Sequence, residues 1–215
     1  MRENLFGETN FENNQIQICI ESSPVSAQNR NCVKKEFKSD VHKITSQCEY
    51  IITSTCWIAI DHYCQHIKRM KNPGVYDVDN IIKPILDSLV GVNGVLIDDV
   101  IVDRVSVNWI DTPHEDYIEI DIQYPDLLYT KKSELVFIKS NNGWCFPAGR
   151  SITKQAPFVE LLRKYFDTWE SIKTEENYYS FVGILPIQNF IYFSKIKDKG
   201  YQVMDIEKLL TTTCT

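Results

Sequence analysis

The sequence lacks any Cys-x-x-Cys pair, and its cysteines are odd in number, seven among 215 residues. Both features argue against a disulfide scaffold and against a zinc ribbon. No apolar run approaches the ~20 residues that a membrane-spanning helix needs. The opening stretch MRENLFGETNFENNQ is polar and lacks the apolar core of a signal peptide. We therefore expect a reduced, soluble, cytoplasmic protein that does not associate with a membrane.

An excess of basic residues, the usual first sign of nucleic-acid binding, is also missing, because the net charge is −6. The charge is uneven along the chain. Residues 1–125 hold 11 lysines and arginines against 19 aspartates and glutamates, a net charge of −8, whereas residues 126–215 hold 12 against 10. No Gly-x-Ser-x-Gly nucleophile motif and no glycine-rich phosphate-binding loop occurs in the sequence.

The sequence does contain enough apolar residues for a packed core, 43% of the total. Alternation in QIQICI indicates a strand, and apolar residues at helical spacing after Cys32 indicate a helix. Residues 15–124 follow the order β-α-β-α-β-β, so we predict an α/β (α+β) fold with a mixed sheet. The predicted elements are strands at 15–20, 54–65, 95–109 and 116–124, the last two antiparallel to each other, helices at 32–50 and within 79–91, and a basic loop at 66–74.

The character of the sequence changes after Pro125. The stretch ELVFIKSNNGWCFPAG indicates a hairpin around Asn-Asn-Gly, and residues 157–172 form an amphipathic pattern with proline at its start. A strand, a turn and a short final helix are predicted after residue 189. We therefore divide the chain into a domain at 1–125 and a small α+β extension at 126–215, whose role the sequence leaves open.

The helix within residues 79–91 carries signals for both of its ends. Asp79 is a natural N-cap, because its carboxylate can accept hydrogen bonds from the first backbone N–H groups. Pro84 is tolerated only near a helix start, so the first turn is expected to lie close to it. Gly91 can end the helix.

Acidic residues are concentrated around this otherwise apolar helix. Asp79, Lys83 and Asp87 are spaced by four and stack on one face. Asp77 precedes them, and the pair Asp98-Asp99 begins the next predicted strand. If these carboxylates converge, they repel one another, and a divalent ion such as Mg²⁺ or Mn²⁺ would neutralise them. Such an ion polarises phosphoryl groups and lowers the pKa of a bound water, while a nearby lysine stabilises developing charge.

Purely structural interpretations remain open for the same residues. Asp79 can be an N-cap and nothing more, Lys83 and Asp87 can form a surface ion pair of small energy, and the Asp98-Asp99 pair can lie in a turn. Three further side chains share one strand face by parity and could bind a transition metal, although an ordinary edge strand explains them equally well. These are His62, Cys64 and His66.

The segments DVDNIIKPILDSL and VLIDDVIV resemble the RusA family of Holliday-junction resolvases. That family has an Asp-x-Asp-Asn-x-x-Lys-x-x-x-Asp segment on a loop and helix, followed by an Asp-Asp pair at the start of a strand. The PVSAQNRN loop also resembles the N-terminal loop of the family, and the similarity covers roughly residues 15–124. The matching positions are Asp77, Asp79, Asn80, Lys83, Asp87, Asp98 and Asp99.

The resemblance implies a homodimeric crossover junction endodeoxyribonuclease of DNA recombination and repair, which cuts four-way DNA junctions with Mg²⁺ or Mn²⁺ by water attack on a phosphodiester. It implies Asp77, Asp79 and Asp99 as metal ligands, with Asp98 as a further candidate, and Lys83 as the active-site lysine. Basic residues near such a site are natural phosphate contacts. The candidates for these contacts are Arg30, Lys34, Lys35, Lys68, Arg69 and Lys71.

Two other functions stay open at the level of sequence. One is a nuclease with the same chemistry that acts on flaps or RNA. The other is a non-catalytic module that binds structured nucleic acid or a protein partner and keeps the acidic site as a relic. The intact set of Asp77, Asp79, Lys83 and Asp99 argues against a relic, while the negative net charge argues for it.

Overall fold

The computed structural model describes residues 14–71, 77–124, 129–182 and 190–213. The chain divides into two compact units, Met1–Leu128 and Tyr129–Thr215. Both combine helices with mixed sheets, which confirms the predicted α+β class. Within the described part of the chain, no helix is both long enough and apolar enough to cross a bilayer.

The described residues of the first unit form five strands and three helices, preceded by the turn at Asn14. A short 3₁₀ turn at Asp99–Ile101 comes directly before the fourth strand. The elements are β1 (Gln15–Ile20), α1 (Asn31–Thr45), β2 (Tyr50–Ile52), β3 (Cys56–Gln65), α2 (His66–Lys71), α3 (Val78–Leu89), β4 (Val102–Thr112) and β5 (Tyr117–Gln123).

Four of these strands form a mixed sheet in the order β1-β5-β3-β4. The predicted antiparallel pairing of the last two strands is wrong, because β5 pairs with β1 and β3, while β4 lies parallel to β3. The Asp116 carboxylate explains the difference. It accepts a hydrogen bond from the backbone N–H of Gln65 at 2.9 Å, which fixes the start of β5 beside the end of β3.

One face of this sheet forms the core of the first unit. Isoleucines at alternate positions are almost fully buried there, and the buried faces of α1 and α3 supply further apolar side chains. Full burial of such a side chain contributes about 1.5–3 kcal/mol. The buried residues include Ile16, Ile18, Ile20, Ile58, Ile60, Ile118, Ile120 and Ile122 from the sheet and Phe37, Val41, Ile81, Ile85 and Leu89 from the helices.

The connection after α3 is a tight turn and not the start of a long strand. The backbone N–H groups of Val95 and Leu96 both donate to the carbonyl of Leu89, at 2.8 and 3.0 Å. Gly91 follows the helix with φ +119°, as its predicted role at the helix end requires. The prediction of a strand from Val95 is therefore wrong, since residues 95–97 bond to Leu89 and to β2 before β4 begins.

Two other predicted boundaries need correction. We predict a basic loop at 66–74, but His66–Lys71 is the short helix α2, since its lysine, arginine and methionine side chains are good helix formers. Residues 72–74 of that prediction lie outside the described residues. The helix expected at residues 32–50 stops at Thr45, whose hydroxyl oxygen lies 3.1 Å from the carbonyl oxygen of Val41 and 2.6 Å from that of Asn93.

The described residues of the second unit form four helices and a four-stranded sheet, whose strands lie in the order β10 (Gln202–Asp205), β7 (Leu135–Lys139), β8 (Trp144–Gly149) and β9 (Ile191–Tyr192). The predicted hairpin is confirmed, with Gly143 at φ +89° in its turn. The predicted helix with an early proline is also confirmed. The elements are β6 (Tyr129–Lys131), β7 (Leu135–Lys139), β8 (Trp144–Gly149), α4 (Ala156–Ser171), α5 (Glu175–Val182), β9 (Ile191–Tyr192), α6 (Phe193–Ile196), β10 (Gln202–Asp205) and α7 (Ile206–Thr213).

The turn after α3 should tolerate no side chain at Gly94. A Cβ there would lie 2.1 Å from the carbonyl oxygen of Leu89, so Gly94→Ala must displace the turn. We expect a loss of roughly 2–3 kcal/mol in the free energy of unfolding, measured by urea denaturation. Gly149→Ala is the control, because the nearest atom to its Cβ would be 4.0 Å away. Equal losses in both variants would contradict this account.

Candidate active site

Lys83 connects α3 to the turn before β4. Its Nζ lies 2.5 Å from Oδ2 of Asp99 and 2.9 Å from Oδ1 of Asp87. Burial acts to lower the pKa of Lys83, but the hydrogen bonds to the two carboxylates and their negative charges outweigh burial and raise it. The ammonium group is therefore a fixed positive charge between a helix residue and a turn residue.

Asp77 and Asp79 form a second acidic group at the start of the same helix. The expected N-cap role of Asp79 is wrong, because α3 begins at Val78 and Asp77 occupies the cap position in an extended conformation. Asp79 lies in the first turn, where the helix dipole favours a negative charge. A hydrogen bond with Asp79 and the negative charge of that carboxylate raise the pKa of Asp77.

Asp98 and Asp99 have different environments although they are adjacent. Asp98 is 1% exposed, and its Oδ1 accepts a hydrogen bond from the backbone N–H of Val100 at 3.0 Å. Asp98 thus caps the 3₁₀ turn. The side chain of Asp99 is partly exposed and faces Lys83. The turn therefore directs one carboxylate of the pair into the fold and the other towards α3.

Pro84 lies inside α3 and not near its start, contrary to expectation. Because proline has no backbone N–H, the carbonyl of Asn80 loses its helical donor. The backbone N–H of Ala27 donates to that carbonyl at 2.6 Å, and the side-chain amide of Gln28 lies 3.5 Å from Oδ1 of Asn80. The Ala27 N–H therefore replaces the missing helical donor. This hydrogen bond attaches the loop before α1 to the helix next to Asp79.

The basic edge of α1 lies along α3. The Nζ of Lys34 donates to the carbonyl of Ala27 at 3.1 Å, and the Nζ of Lys38 donates to the carbonyl of Asp87 at 2.7 Å. Sequence reasoning did not select Lys38 as a site residue, although its spacing of four from Lys34 places both on one helix face. Arg30 precedes α1 at its N-cap position and is exposed, as is Lys35.

The basic residues of α2 have partners at the far end of the sheet. Lys68 lies 3.4 Å from the carboxylate of Asp116, and Arg69 lies 2.8 Å from that of Asp111. The guanidinium of Arg69 also lies over the ring of Trp109, 5.6 Å from its centroid. Lys71 is exposed. Two of the three predicted phosphate contacts in α2 are thus ion-paired within the protein.

Among the described residues, one group of three potential metal ligands has all its ligand atoms within 4.8 Å of one another, and it is not the predicted one. It consists of His62, Cys64 and Asp116, all buried. The structure places Asp77 beside Asp79, and Asp99 beside Lys83. It does not bring the carboxylates of Asp77, Asp79 and Asp99 within 4.8 Å of one another. His66, the third side chain singled out in the sequence, lies outside the cluster, with its Nδ1 3.1 Å from the carbonyl of Thr112.

A scan of the chain against models of known protein families finds no match, and a search of the curated proteins finds no significant match either. The geometry of these side chains therefore carries the functional argument.

The contact between the two carboxylates at the start of α3 can be tested by titration. Asp79→Asn removes the negative charge that raises the pKa of Asp77, so we expect this pKa to fall towards its ordinary value of 3.8. The measurement is the carboxyl carbon shift of Asp77 as a function of pH, by NMR. Asp87→Asn is the matched control, because Asp87 contacts Lys83, and it should leave the titration of Asp77 in place. An unchanged Asp77 pKa in Asp79→Asn would show that the two carboxylates are not in contact.

Proposed function

We propose that the first unit is a metal-dependent endodeoxyribonuclease that resembles the RusA resolvases and cuts branched DNA. The observation that carries the proposal is the meeting of α3 with the turn before β4. There Lys83 contacts Asp99, and Asp77 contacts Asp79 at the start of the same helix. The acidic residues selected from the sequence thus lie on α3 and on the turn before β4, and the contact between Lys83 and Asp99 joins these two elements.

The donor set fits Mg²⁺ or Mn²⁺. These ions prefer carboxylate oxygens and retain bound waters, so they need a site that solvent can reach. Asp77 and Asp79 are exposed, and Asp99 is partly exposed. A hydrogen bond with Asp79 and the negative charge of that carboxylate raise the pKa of Asp77, and a divalent cation would relieve the repulsion between the two carboxylates. Asp77, Asp79 and Asp99 are the residues that would hold it, while Asp98 is occupied as a cap.

The residues of the chain would have distinct roles in phosphodiester hydrolysis. A bound divalent ion supplies Lewis acidity and a water molecule of lowered pKa. The raised pKa of Lys83 keeps its ammonium group protonated, so it cannot act as a general base. Its chemistry suits electrostatic stabilisation of the negative charge that develops on the phosphate. Asp87 orients this ammonium group from one helical turn away.

The basic surface beside the acidic site supports a polyanionic substrate. Lys34 and Lys38 flank α3, and the loop that carries Arg30 is attached to Asn80 next to Asp79. A DNA strand that followed this edge would bring a phosphate towards Lys83. Lys68 and Arg69 would have to leave Asp116 and Asp111 before they could contact phosphates.

A closed two-fold dimer suits a four-way junction, because resolution needs paired nicks in opposing strands and each active site can serve one strand. We therefore propose a homodimer in which both acidic sites face the same junction. The alternatives of a flap or RNA nuclease, and of a non-catalytic binding module, are separate outcomes of the experiments below.

Cleavage should depend on the three proposed ligands. Asp77→Asn, Asp79→Asn and Asp99→Asn should each abolish cutting of a labelled four-way junction in Mg²⁺ or Mn²⁺, since each removes an anionic ligand. Lys83→Ala should lower kcat by about 10²–10³ while metal binding persists. EDTA should abolish activity in the wild-type protein.

Asp103→Asn is the matched control for cleavage, because Asp103 is an exposed aspartate on β4 near the same turn. It should retain most of the activity. The same samples are tested on flap DNA, linear duplex and RNA. If the protein cuts one of those substrates better than the junction, it is a nuclease with that other substrate. If it cuts no substrate in the presence of metal, the nuclease proposal fails and the non-catalytic binding module is the remaining candidate.

Junction binding should rest on exposed basic residues of α1 and α2. Lys35→Ala and Lys71→Ala should weaken binding and reduce the slope of log affinity against log salt by roughly one unit per lost contact. Lys164→Ala, on an exposed position of α4 in the second unit, is the control. Light scattering is run in parallel. A monomer at micromolar concentration that binds junctions no better than linear duplex would exclude the resolvase.

A further inference from the structure

His62, Cys64 and Asp116 meet on the buried face of the sheet, in a cluster separate from the acidic site. His62 and Cys64 are alternate residues of β3 and are both fully buried. The register of β3 with β5 pairs His62 with Ile118 and Tyr63 with Tyr117. Continuation of this register by one residue brings Asp116 opposite Cys64. A nitrogen, a sulfur and an oxygen atom of these side chains all lie within 4.8 Å of one another.

We propose that His62, Cys64 and Asp116 form a structural binding site for a transition-metal ion of the Zn²⁺ class. Imidazole nitrogen, thiolate sulfur and carboxylate oxygen are the three ligand types that zinc takes in proteins. A thiolate is a poor ligand for Mg²⁺, which prefers hard oxygen donors. The proposal therefore concerns a different ion from that of the acidic site and does not depend on nuclease activity.

Charge balance favours an ion in this buried position. When they act as ligands, the His62 imidazole is neutral, and the Cys64 thiolate and the Asp116 carboxylate each carry one negative charge. On metal binding the Cys64 thiol releases its proton to solvent. One thiolate and one carboxylate then balance the two positive charges, so the three ligands and the ion carry no net charge.

Asp116 retains the capacity to bind an ion. Its Oδ2 accepts from the Ser23 hydroxyl at 2.5 Å and lies 3.4 Å from Nζ of Lys68, while its Oδ1 accepts from the Gln65 N–H at 2.9 Å. An ionised carboxylate has about four acceptor positions, so one remains on Oδ1. The same three contacts fix the orientation of the carboxylate, as outer contacts commonly do for metal ligands.

A surface cleft reaches the Asp116 side of the cluster. It is lined in part by Glu21, His114, Glu115 and Asp116, so Asp116 belongs both to the cluster and to the cleft wall. The cleft offers an entry route and a source for the fourth ligand, either water or a side chain. A bound ion would fasten the end of β3 to the start of β5, next to the point where α2 begins.

The test uses the full chain with Cys19, Cys32 and Cys214 replaced by serine, so that accessible thiols outside the cluster do not bind the probe. Metal-depleted protein is titrated with Co²⁺ and followed by its absorbance. We expect one equivalent to bind with a thiolate-to-cobalt charge-transfer band, and one proton to be released per ion. Zn²⁺ should displace the cobalt and raise the melting temperature. Absence of the band in this protein overturns the proposal, whatever the variants do.

Two variants locate the site. Cys64→Ser should lose the band, while Cys56→Ser should keep it, because Cys56 is a buried cysteine on the same face of the same strand but outside the cluster. A band that survives in Cys64→Ser, or that disappears in Cys56→Ser, contradicts the assignment. Asp79→Asn should keep the band. This separates the cobalt site from the proposed magnesium site, so either proposal can fail alone.

Discussion

The ion pair between Lys83 and Asp99 is the contact on which the arrangement of the acidic residues depends. The helix and the turn before β4 each contribute carboxylates, and like charges on neighbouring elements repel one another. Lys83 reaches Asp99 at 2.5 Å and Asp87 at 2.9 Å, so one ammonium group contacts two carboxylates and offsets one of their two negative charges. The pair is partly exposed, and its contribution to stability is therefore small. Its importance is that it holds the Asp99 carboxylate next to α3, the helix that begins with Asp77 and Asp79.

Two backbone features hold these charges in place. Pro84 removes the donor to the carbonyl of Asn80, and the N–H of Ala27 replaces it, so the loop before α1 is attached beside the helix. Gly94 allows the chain to pass within contact of the Leu89 carbonyl, and the resulting tight turn brings the next acidic residues back to the helix. Each feature satisfies a backbone group that burial would otherwise leave unpaired.

The two polar clusters of the first unit differ in chemistry and lie at opposite ends of the parallel strands β3 and β4. The acidic site is next to the start of β4, and the other cluster is at the end of β3. The acidic site around Lys83 is exposed and contains oxygen donors, which suits a hydrated Mg²⁺ or Mn²⁺ ion. The cluster of His62, Cys64 and Asp116 is buried and includes sulfur, which suits a transition metal. Lys68 links the second cluster to α2, since its ammonium group pairs with Asp116. Part of the positive charge of α2 is thus used in ion pairs within the protein.

Periodicity and local turn chemistry were enough to predict the α+β class, the position of β1 and the hairpin at Gly143. Spacing, together with the resemblance to the RusA family, also selected Lys83 and the aspartates around it. The tertiary structure was needed to place β5 between β1 and β3, because the contact of Asp116 with Gln65 joins residues far apart in the chain. It also separated Asp98 from Asp99, since burial at one position and exposure at the next follow from packing that no local pattern encodes.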